Sequence, residues 1–117
     1  MTFYNNNGTA VFYSDDNEYL FDFNGRVLGY IYEGSMFNFQ GKYLGWFENG
    51  WLMDHHGTYA FFNEDASGGP MKPMKSMKPM KSIKEMKPMK STREMKPMKS
   101  MKSISWSKYD VSSYFKR

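Results

Sequence analysis

The sequence predicts an all-β fold: four short hairpin repeats, arranged as a meander or as a flower-like array about a centre, followed by an extended tail of the polyproline II type. Three observations support this prediction. A turn dipeptide ending in glycine recurs at intervals of 17, 16 and 16 residues in the first half of the 117-residue chain. Segments rich in Tyr, Phe, Trp and Val lie between these turns, and such side chains favour strands. The second half keeps a period of three residues.

The four repeats share a turn glycine and an aromatic residue five positions after it. The turn glycines are Gly8, Gly25, Gly41 and Gly57, and the repeat aromatics are Tyr13, Tyr30, Trp46 and Phe62. A second turn follows in the first three copies, for example at Asn49-Gly50. Because an Asn-Gly pair supplies the positive φ angles of a two-residue hairpin turn, each copy is predicted to hold two antiparallel strands, about eight in all. One such repeat is too small to bury its aromatic face alone, so the four must pack together.

Composition divides the chain into three regions. Residues 1–69, the predicted β-repeat domain, carry 2 basic and 9 acidic groups, which gives a net charge of −7. Residues 70–105, the tail, carry 11 basic and 2 acidic groups, and residues 106–117 form an aromatic segment with a net charge of +2. The chain has no cysteine, so packing and backbone pairing alone must hold the core. The opposite charges of the body and the tail predict contact between them.

The tail is a series of triplets whose first place holds only Pro, Ser or Glu. The second place is an apolar stripe, interrupted by Thr92 and otherwise made of Met71, Met74, Met77, Met80, Ile83, Met86, Met89, Met95, Met98, Met101 and Ile104. The third place is a basic stripe made of Lys72, Lys75, Lys78, Lys81, Lys84, Lys87, Lys90, Arg93, Lys96, Lys99 and Lys102. Polyproline II has three residues per turn and keeps each stripe on one side, whereas recurrent proline disfavours helix and strand. The alternative is a disordered basic tail.

A period of nine residues is superimposed on the triplets, so four nonapeptides face four body repeats and are predicted to pair with them one to one. Straight polyproline II of this length would measure about 110 Å, so the tail must wrap the body, bundle with other tails or extend into solvent. We expect the apolar stripe to be its packed surface: Met80→Asp or Met89→Asp would then destabilise the protein or its assembly, whereas Lys81→Ala would change little. The aromatic segment is predicted to latch onto the body or a neighbouring chain.

Several motifs together resemble the bacterial 4-fold beta flower family. They are the Asn-Gly units followed by Glu48-Asn49-Gly50-Trp51, the lead-in Gly68-Gly69-Pro70, the triplet tail and the closing Ser105-Trp106-Ser107. The resemblance covers nearly the whole chain, and the triplet tail with its lead-in is its specific part, since Asn-Gly hairpins also occur in WG-type and YD-type repeats. It implies an all-β repeat fold and no established activity, so no functional residue is carried over.

No group of residues predicts catalysis, a cofactor or a small-molecule substrate. Asp54-His55-His56, with Glu64 or Asp65, could be drawn as a divalent metal site, but His56 occupies a turn position that Asn or Gln fills in the other copies. The methionine series invites copper(I) binding, yet each methionine precedes a cation, and isoleucine or threonine takes the same place three times. We therefore expect a protein that is not an enzyme and has no metal site.

The sequence favours a structural or interaction protein that forms a homo-oligomer through its tail or through uncovered strand edges. The alternative is nucleic-acid or anionic-surface binding through the Lys-rich tail, because such a run neutralises phosphates. The acidic body and the absence of an RNA-module motif disfavour this alternative. The chain has no basic-then-apolar leader and no apolar run long enough for a membrane span, so a cytoplasmic location is expected.

Overall fold

A computed structural model describes residues 1–116 and shows an antiparallel sheet closed into an eight-stranded barrel. The elements are β1 (Thr2–Tyr4), β2 (Ala10–Tyr13), β3 (Tyr19–Asp22), β4 (Val27–Tyr32), β5 (Ser35–Phe37), β6 (Tyr43–Glu48), β7 (Trp51–Asp54), β8 (Tyr59–Asn63) and α1 (Val111–Phe115). Each strand pairs with the next along the chain, and β8 pairs with β1. The all-β prediction is confirmed. Because a closed barrel leaves no free edge, the expected association through uncovered strand edges is wrong.

The turns at the two ends of the barrel differ in kind. At the first, Gly8 N donates to Asn5 O at 2.9 Å, only the glycine has a positive φ (78°), and the β1–β2 register shifts beside it. This is a longer loop with a glycine bulge, so the expected two-residue Asn-Gly turn is wrong at this position. The two-residue turns with two positive φ angles are Glu33-Gly34 and Asn49-Gly50 at the opposite end.

An Asn or Asp side chain three residues before each turn glycine holds the longer loops. Its Oδ1 accepts the backbone N–H groups two and four residues further on, at 2.9–3.1 Å, in Asn5, Asp22, Asn38 and Asp54. These bonds satisfy loop N–H groups that the ladder cannot pair. The sequence analysis missed this position, although its spacing of 17, 16 and 16 is that of the glycines.

Four cross-strand pairs that face inward show how the inside of the barrel is filled. The four cross-strand pairs are Phe3 with Phe12, Leu20 with Gly29, Met36 with Gly45, and Leu52 with Phe61. Two of the four repeats therefore supply a phenylalanine at the same place where the other two supply a glycine. The four-fold repeat is broken inside the barrel, and the two glycines leave a space.

Helix α1 fills that space. Tyr114 and Phe115 belong to the interior cluster, and Tyr114 Oη donates to the backbone carbonyl of Met53 at 2.7 Å. A Cβ at Gly45 would lie 1.8 Å from that carbonyl oxygen and 2.9 Å from Tyr114 Oη, and one at Gly29 would lie 3.2 Å from the Phe115 ring. Burial raises the pKa of Tyr114 well above its ordinary value. The end of the chain thus completes the core.

The segment between the barrel and α1 has no regular secondary structure. Residues 64–110, all of them described, contain no helix or strand apart from an isolated bridge between Tyr59 and Trp106. With this segment the molecule measures 37 × 36 × 22 Å, which is the shape of a thick disc. Among residues 1–116, no helix has the length and the apolar character that crossing a membrane requires.

Candidate functional site

The tail passes the four glycine turns of the barrel in chain order. In each nonapeptide one backbone N–H donates to the carbonyl of a turn glycine: Ser76 to Gly8 at 2.7 Å, Glu85 to Gly25 at 2.8 Å, Glu94 to Gly41 at 2.8 Å and Ser103 to Gly57 at 3.0 Å. One nonapeptide therefore meets one hairpin, which is the correspondence that the two periods predict. Because the strands follow one another around the barrel, the tail makes a second circuit in the same direction.

Most of the same tail residues also accept a hydrogen bond from the barrel. Ser76 Oγ accepts from Ala10 N at 3.0 Å, Glu85 Oε1 from Val27 N at 2.8 Å and Glu94 Oε1 from Tyr43 N at 2.6 Å. In the fourth copy the backbone oxygen of Ser105 accepts from Tyr59 N at 2.9 Å. These four N–H groups belong to the first residues of β2, β4, β6 and β8, beside the register shifts. The tail thereby satisfies donors that the bulged ladder leaves unpaired.

The approach of the tail requires glycine at the turns. A Cβ at Gly25 would lie 2.0 Å from the carbonyl oxygen of Ile83, and one at Gly8 would lie 1.9 Å from that of Met74. Their φ angles of 90° and 78° already disfavour any residue with a side chain. These glycines therefore serve both the turn and the docking of the tail.

The basic stripe faces the outer surface of the barrel. One lysine in each of three nonapeptides lies over a repeat aromatic: Lys81 Nζ is 4.4 Å from the ring centre of Tyr13, Lys90 Nζ 4.5 Å from that of Tyr30 and Lys99 Nζ 5.5 Å from that of Trp46. Lys72, the equivalent residue of the first nonapeptide, lies 5.8 Å from the ring of Trp51, which packs on Phe62. A cation over a ring face gains about 0.5–1 kcal/mol at exposed sites. The aromatic positions of the body are thus matched by a lysine position of the tail.

Carboxylates of the body pair with the same stripe. The nitrogen–oxygen distances are 3.0 Å for Lys81–Asp15, 2.7 Å for Lys84–Asp15, 3.1 Å for Lys90–Glu18, 3.7 Å for Lys99–Glu48 and 3.9 Å for Lys78–Glu64, and Lys102 also bonds Glu48. Hydrogen bonds from Lys84 and then Lys81 lower the pKa of Asp15, and the hydrogen bond from Lys102 lowers the pKa of Glu48. The pairs are largely exposed, so each contributes little to stability. Together they place the positive charge of the tail on the negative charge of the body.

The apolar stripe faces solvent. Its nine methionines and Ile83 are 91–95% exposed, and Ile104 is 75% exposed. The expectation that this stripe packs on the body is therefore wrong, whereas the expected effect of Met80→Asp or Met89→Asp on the assembly remains a prediction. A chain with a three-residue repeat has three stripes, and only two can face the barrel. The lysines take one of these places because their charges meet carboxylates and ring faces, while their stems cover apolar surface.

A family model described as 4-fold beta flower protein matches residues 1–115. The chain belongs to the 4-fold beta flower family. The resemblance seen in the sequence is confirmed, and the four hairpins closed into one barrel agree with it. No curated protein and no solved structure was found to match the chain.

In this beta flower protein the aromatic segment returns to the barrel. The Trp106 ring packs on Trp51, with ring centres 5.4 Å apart, and Ser107 N donates to Tyr59 O at 2.7 Å. Ser107 Oγ also donates to Asp54; burial raises the pKa of Asp54, but the hydrogen bonds from Ser107 and Thr58 outweigh it and leave the pKa below its ordinary value. Arg117, the last residue of the segment, lies outside the described residues.

The histidine pair of the beta flower chain packs as aromatic surface. The rings of His55 and His56 pack with their centres 3.9 Å apart and their planes tilted by 41°, and the ring of Tyr109 lies beside both. Within residues 1–116, no three side chains of the His, Asp and Glu types stand together as ligands for a metal ion. The candidate functional site is therefore the tail, which carries the exposed apolar stripe.

Proposed function

We propose that this beta flower protein is a non-enzymatic structural or interaction protein that self-associates through the apolar stripe of its tail. The observation that supports this proposal most directly is the exposure of eleven large apolar side chains along the stripe, each at least 75% exposed. Monomeric proteins rarely present so much contiguous apolar surface to water. Methionine, which makes up most of the stripe, adapts its shape to different packing partners.

A second copy of the chain is the occupant that this surface fits best. The stripe follows the second circuit of the tail around a disc of 37 × 36 × 22 Å, and each of the four nonapeptides presents a similar apolar segment. Two discs can therefore meet edge to edge with the same residues on both sides. Each methionine buried in such a contact contributes about 1.5–3 kcal/mol in transfer terms. The result is a homo-oligomer.

The orientation of the lysines supports contact between copies. Because the basic stripe is turned toward the barrel, two apolar stripes meet without bringing opposing ammonium groups together at the centre of the interface. Lys81 and Lys84 share Asp15, and Lys99 and Lys102 share Glu48. The charge that would oppose association is thus partly neutralised within each copy.

We assign the tail a polyproline II-like conformation. In support, residues in the second place of the triplets share one environment, and residues in the third place share another, over all four nonapeptides. A backbone with three residues per turn produces this regularity. The bacterial source and the cytoplasmic location inferred from the sequence remain predictions.

Nucleic-acid or anionic-surface binding is the rival function. Nine of the eleven basic residues of the stripe already lie against a ring or a carboxylate of the body; the other two are Lys75 and Lys96. A phosphate ligand would have to compete with these contacts, beside a body of net charge −7. The geometry therefore favours self-association.

Sedimentation velocity of the full chain over a range of concentrations tests the proposal. We expect a mass that rises with concentration. The triple variant Met80→Asp/Met89→Asp/Met98→Asp changes one position in three successive nonapeptides and should weaken association about a hundredfold or more. Leucine at the same three positions keeps the apolar volume and should leave association unchanged. A monomer at every concentration would exclude self-association.

A gel shift with mixed DNA and RNA tests the rival. Under the proposed function, no complex forms at about 0.15 M salt, where weak non-specific contacts are screened. A complex that forms there and weakens steeply as salt rises would support the rival.

A further inference from the structure

Eleven of the twelve methionines fall into two classes of exposure, and Met1 is half-buried. Nine of them form the apolar stripe and are 91–95% exposed, whereas Met36, inside the barrel, and Met53, in the cluster that holds most of the repeat aromatics, are 0% and 1% exposed. The thioether sulfurs of the first class are open to small solutes, and those of the second are reached only when the barrel opens. Chemical reagents that attack sulfur therefore meet the two classes very differently.

Packing on the body does not explain why methionine dominates the stripe. Ile83 and Ile104 stand in the same place of the triplet and face outward as the methionines do, so a branched aliphatic side chain fits there. The side chains of the stripe do not support the tail, because the tail is held by backbone hydrogen bonds, glutamate and serine side chains, and lysines. Besides the adaptable shape that suits association, methionine adds the chemistry of its sulfur at these positions.

We propose that the methionines of the apolar stripe are a modification site for two-electron oxidants of the peroxide class, and that their oxidation to sulfoxide separates associated copies while the barrel stays folded. A lone pair of the sulfur attacks one peroxide oxygen, the O–O bond breaks, and the second oxygen leaves as water with the proton of the first. The sulfur loses two electrons and the peroxide gains them. Reduction by methionine sulfoxide reductases restores the thioether.

The two effects follow from where the sulfurs lie. A sulfoxide is polar, so a stripe that carries several of them loses the apolar surface on which association depends. None of the hydrogen bonds that fix the tail to the turn glycines uses a methionine side chain. Oxidation therefore changes the outer surface and leaves the attachment of the tail in place. The separation of copies rests on the proposed self-association; the selective modification does not.

Peptide mapping by mass spectrometry tests the modification, after timed exposure to hydrogen peroxide of a sample dilute enough that the copies are separate. We expect each stripe methionine to gain about 16 Da at least a hundredfold faster than Met36 or Met53, because the buried sulfurs react only through opening. The melting temperature of the barrel should be unchanged when the stripe is fully oxidised. Equal rates in the two classes, or a melting temperature that falls in step with oxidation of the stripe, would overturn the proposal.

Sedimentation of the same oxidised samples tests the separation of copies. We expect the monomer after oxidation and the assembly again after treatment with both sulfoxide reductases, one for each sulfoxide epimer. A variant with leucine at all nine stripe methionines is the matched control. It should assemble, and it should stay assembled after exposure to peroxide. If oxidised copies stay assembled, the proposed separation by oxidation is wrong and the proposed function stands. If the unoxidised protein is already monomeric, the proposed function and the separation fail together, while the peptide map still decides the modification.

Discussion

The inner and outer surfaces of the barrel are both rich in apolar side chains, and the chain covers them in different ways. Inside, Phe12 and Phe61 fill two repeats while Gly29 and Gly45 admit helix α1 into the other two. Outside, the repeat aromatics Tyr13, Tyr30 and Trp46 receive lysine stems and charges from a tail that repeats the same contact at three of the four hairpins. The inside is thus close-packed and asymmetric, whereas the outside is covered by periodic contacts that are largely electrostatic. Substitutions inside should therefore cost far more than substitutions outside.

Tyr114→Ala should give the largest loss. It removes a fully buried ring and the donor to the Met53 carbonyl, so we expect the free energy of unfolding in urea to fall by about 3–5 kcal/mol. Tyr114→Phe keeps the ring and removes only the hydroxyl, which should cost about 1–2 kcal/mol. Equal losses in the two variants would show that packing of the ring contributes little.

Gly25→Ala should give the next largest loss of stability, and Gly34→Ala is its matched control. Both glycines have a positive φ, 90° and 78°, so both variants should lose about 1–2 kcal/mol to backbone strain. Only at Gly25 does the new Cβ meet the tail, 2.0 Å from Ile83 O, whereas nothing lies within 4 Å at Gly34. We expect at least about 1 kcal/mol of additional loss at Gly25 and faster hydrogen exchange at the Glu85 amide. Equal losses and unchanged exchange would mean that the tail is not docked at this turn.

The double variant Lys81→Ala/Lys90→Ala should have a smaller effect. It removes two cations from over the rings of Tyr13 and Tyr30, and we expect a loss of about 1–2 kcal/mol in the free energy of unfolding. Lys75→Ala/Lys96→Ala makes the same change in net charge at positions without these contacts and should change stability by less than about 0.5 kcal/mol. If the two variants behaved alike, net charge rather than ring contact would govern the tail.

Acid should remove the contribution of Asp15 to the stability of the fold. Hydrogen bonds from Lys84 and Lys81 lower the pKa of Asp15 in the folded protein, so this carboxylate stabilises the fold above its unfolded pKa of about 3.9 and loses that effect as the pH falls through the lower folded value. Compared with Asp15→Asn, the natural chain should melt at most a few °C higher at neutral pH. The difference should vanish in strong acid, as measured by calorimetry at a series of pH values. A difference that persisted there would not come from ionisation of Asp15.

Met89→Asp should have the smallest effect on folding. Its side chain is 93% exposed and makes no packing contact that unfolding would break, so the free energy of unfolding of the monomer should be unchanged within about 0.5 kcal/mol. Dilute samples, in which copies are separate, are needed for this measurement. A clear loss would place the methionine against the body after all.

The sequence revealed the parts of the fold that repeat. The glycine and aromatic periods predicted strands and turns, and the nine-residue period predicted a match between nonapeptides and hairpins. The inward glycines Gly29 and Gly45 were not recognised, because they stand where the other copies have Phe12 and Phe61 and so break the period. Their meaning depends on α1, which is distant in sequence and reaches them only once the barrel exists.

The direction of the apolar stripe could not be predicted from its period. A period of three defines three stripes, but an arrangement with methionine inward is as regular as one with lysine inward. The choice depends on the outer surface of the barrel, where ring faces such as that of Tyr13 and carboxylates such as that of Asp15 lie close enough to share one lysine. That juxtaposition is made by strands and turns together. A pattern within the tail alone does not contain it.

The second circuit of the chain also constrains the order of folding. The tail bonds to parts of the barrel that precede it by 45 to 72 residues, and the turns that receive it are shaped only when the hairpins have formed. The entropic cost of loop closure differs by only about 0.4 kcal/mol between the longest and the shortest of these separations, so no single tail contact is expected to form well before the others. A ribosome releases the barrel before the tail. Contacts that form after the rate-limiting step slow unfolding and leave the folding rate nearly unchanged, so we expect the docked tail to slow the unfolding of the closed barrel.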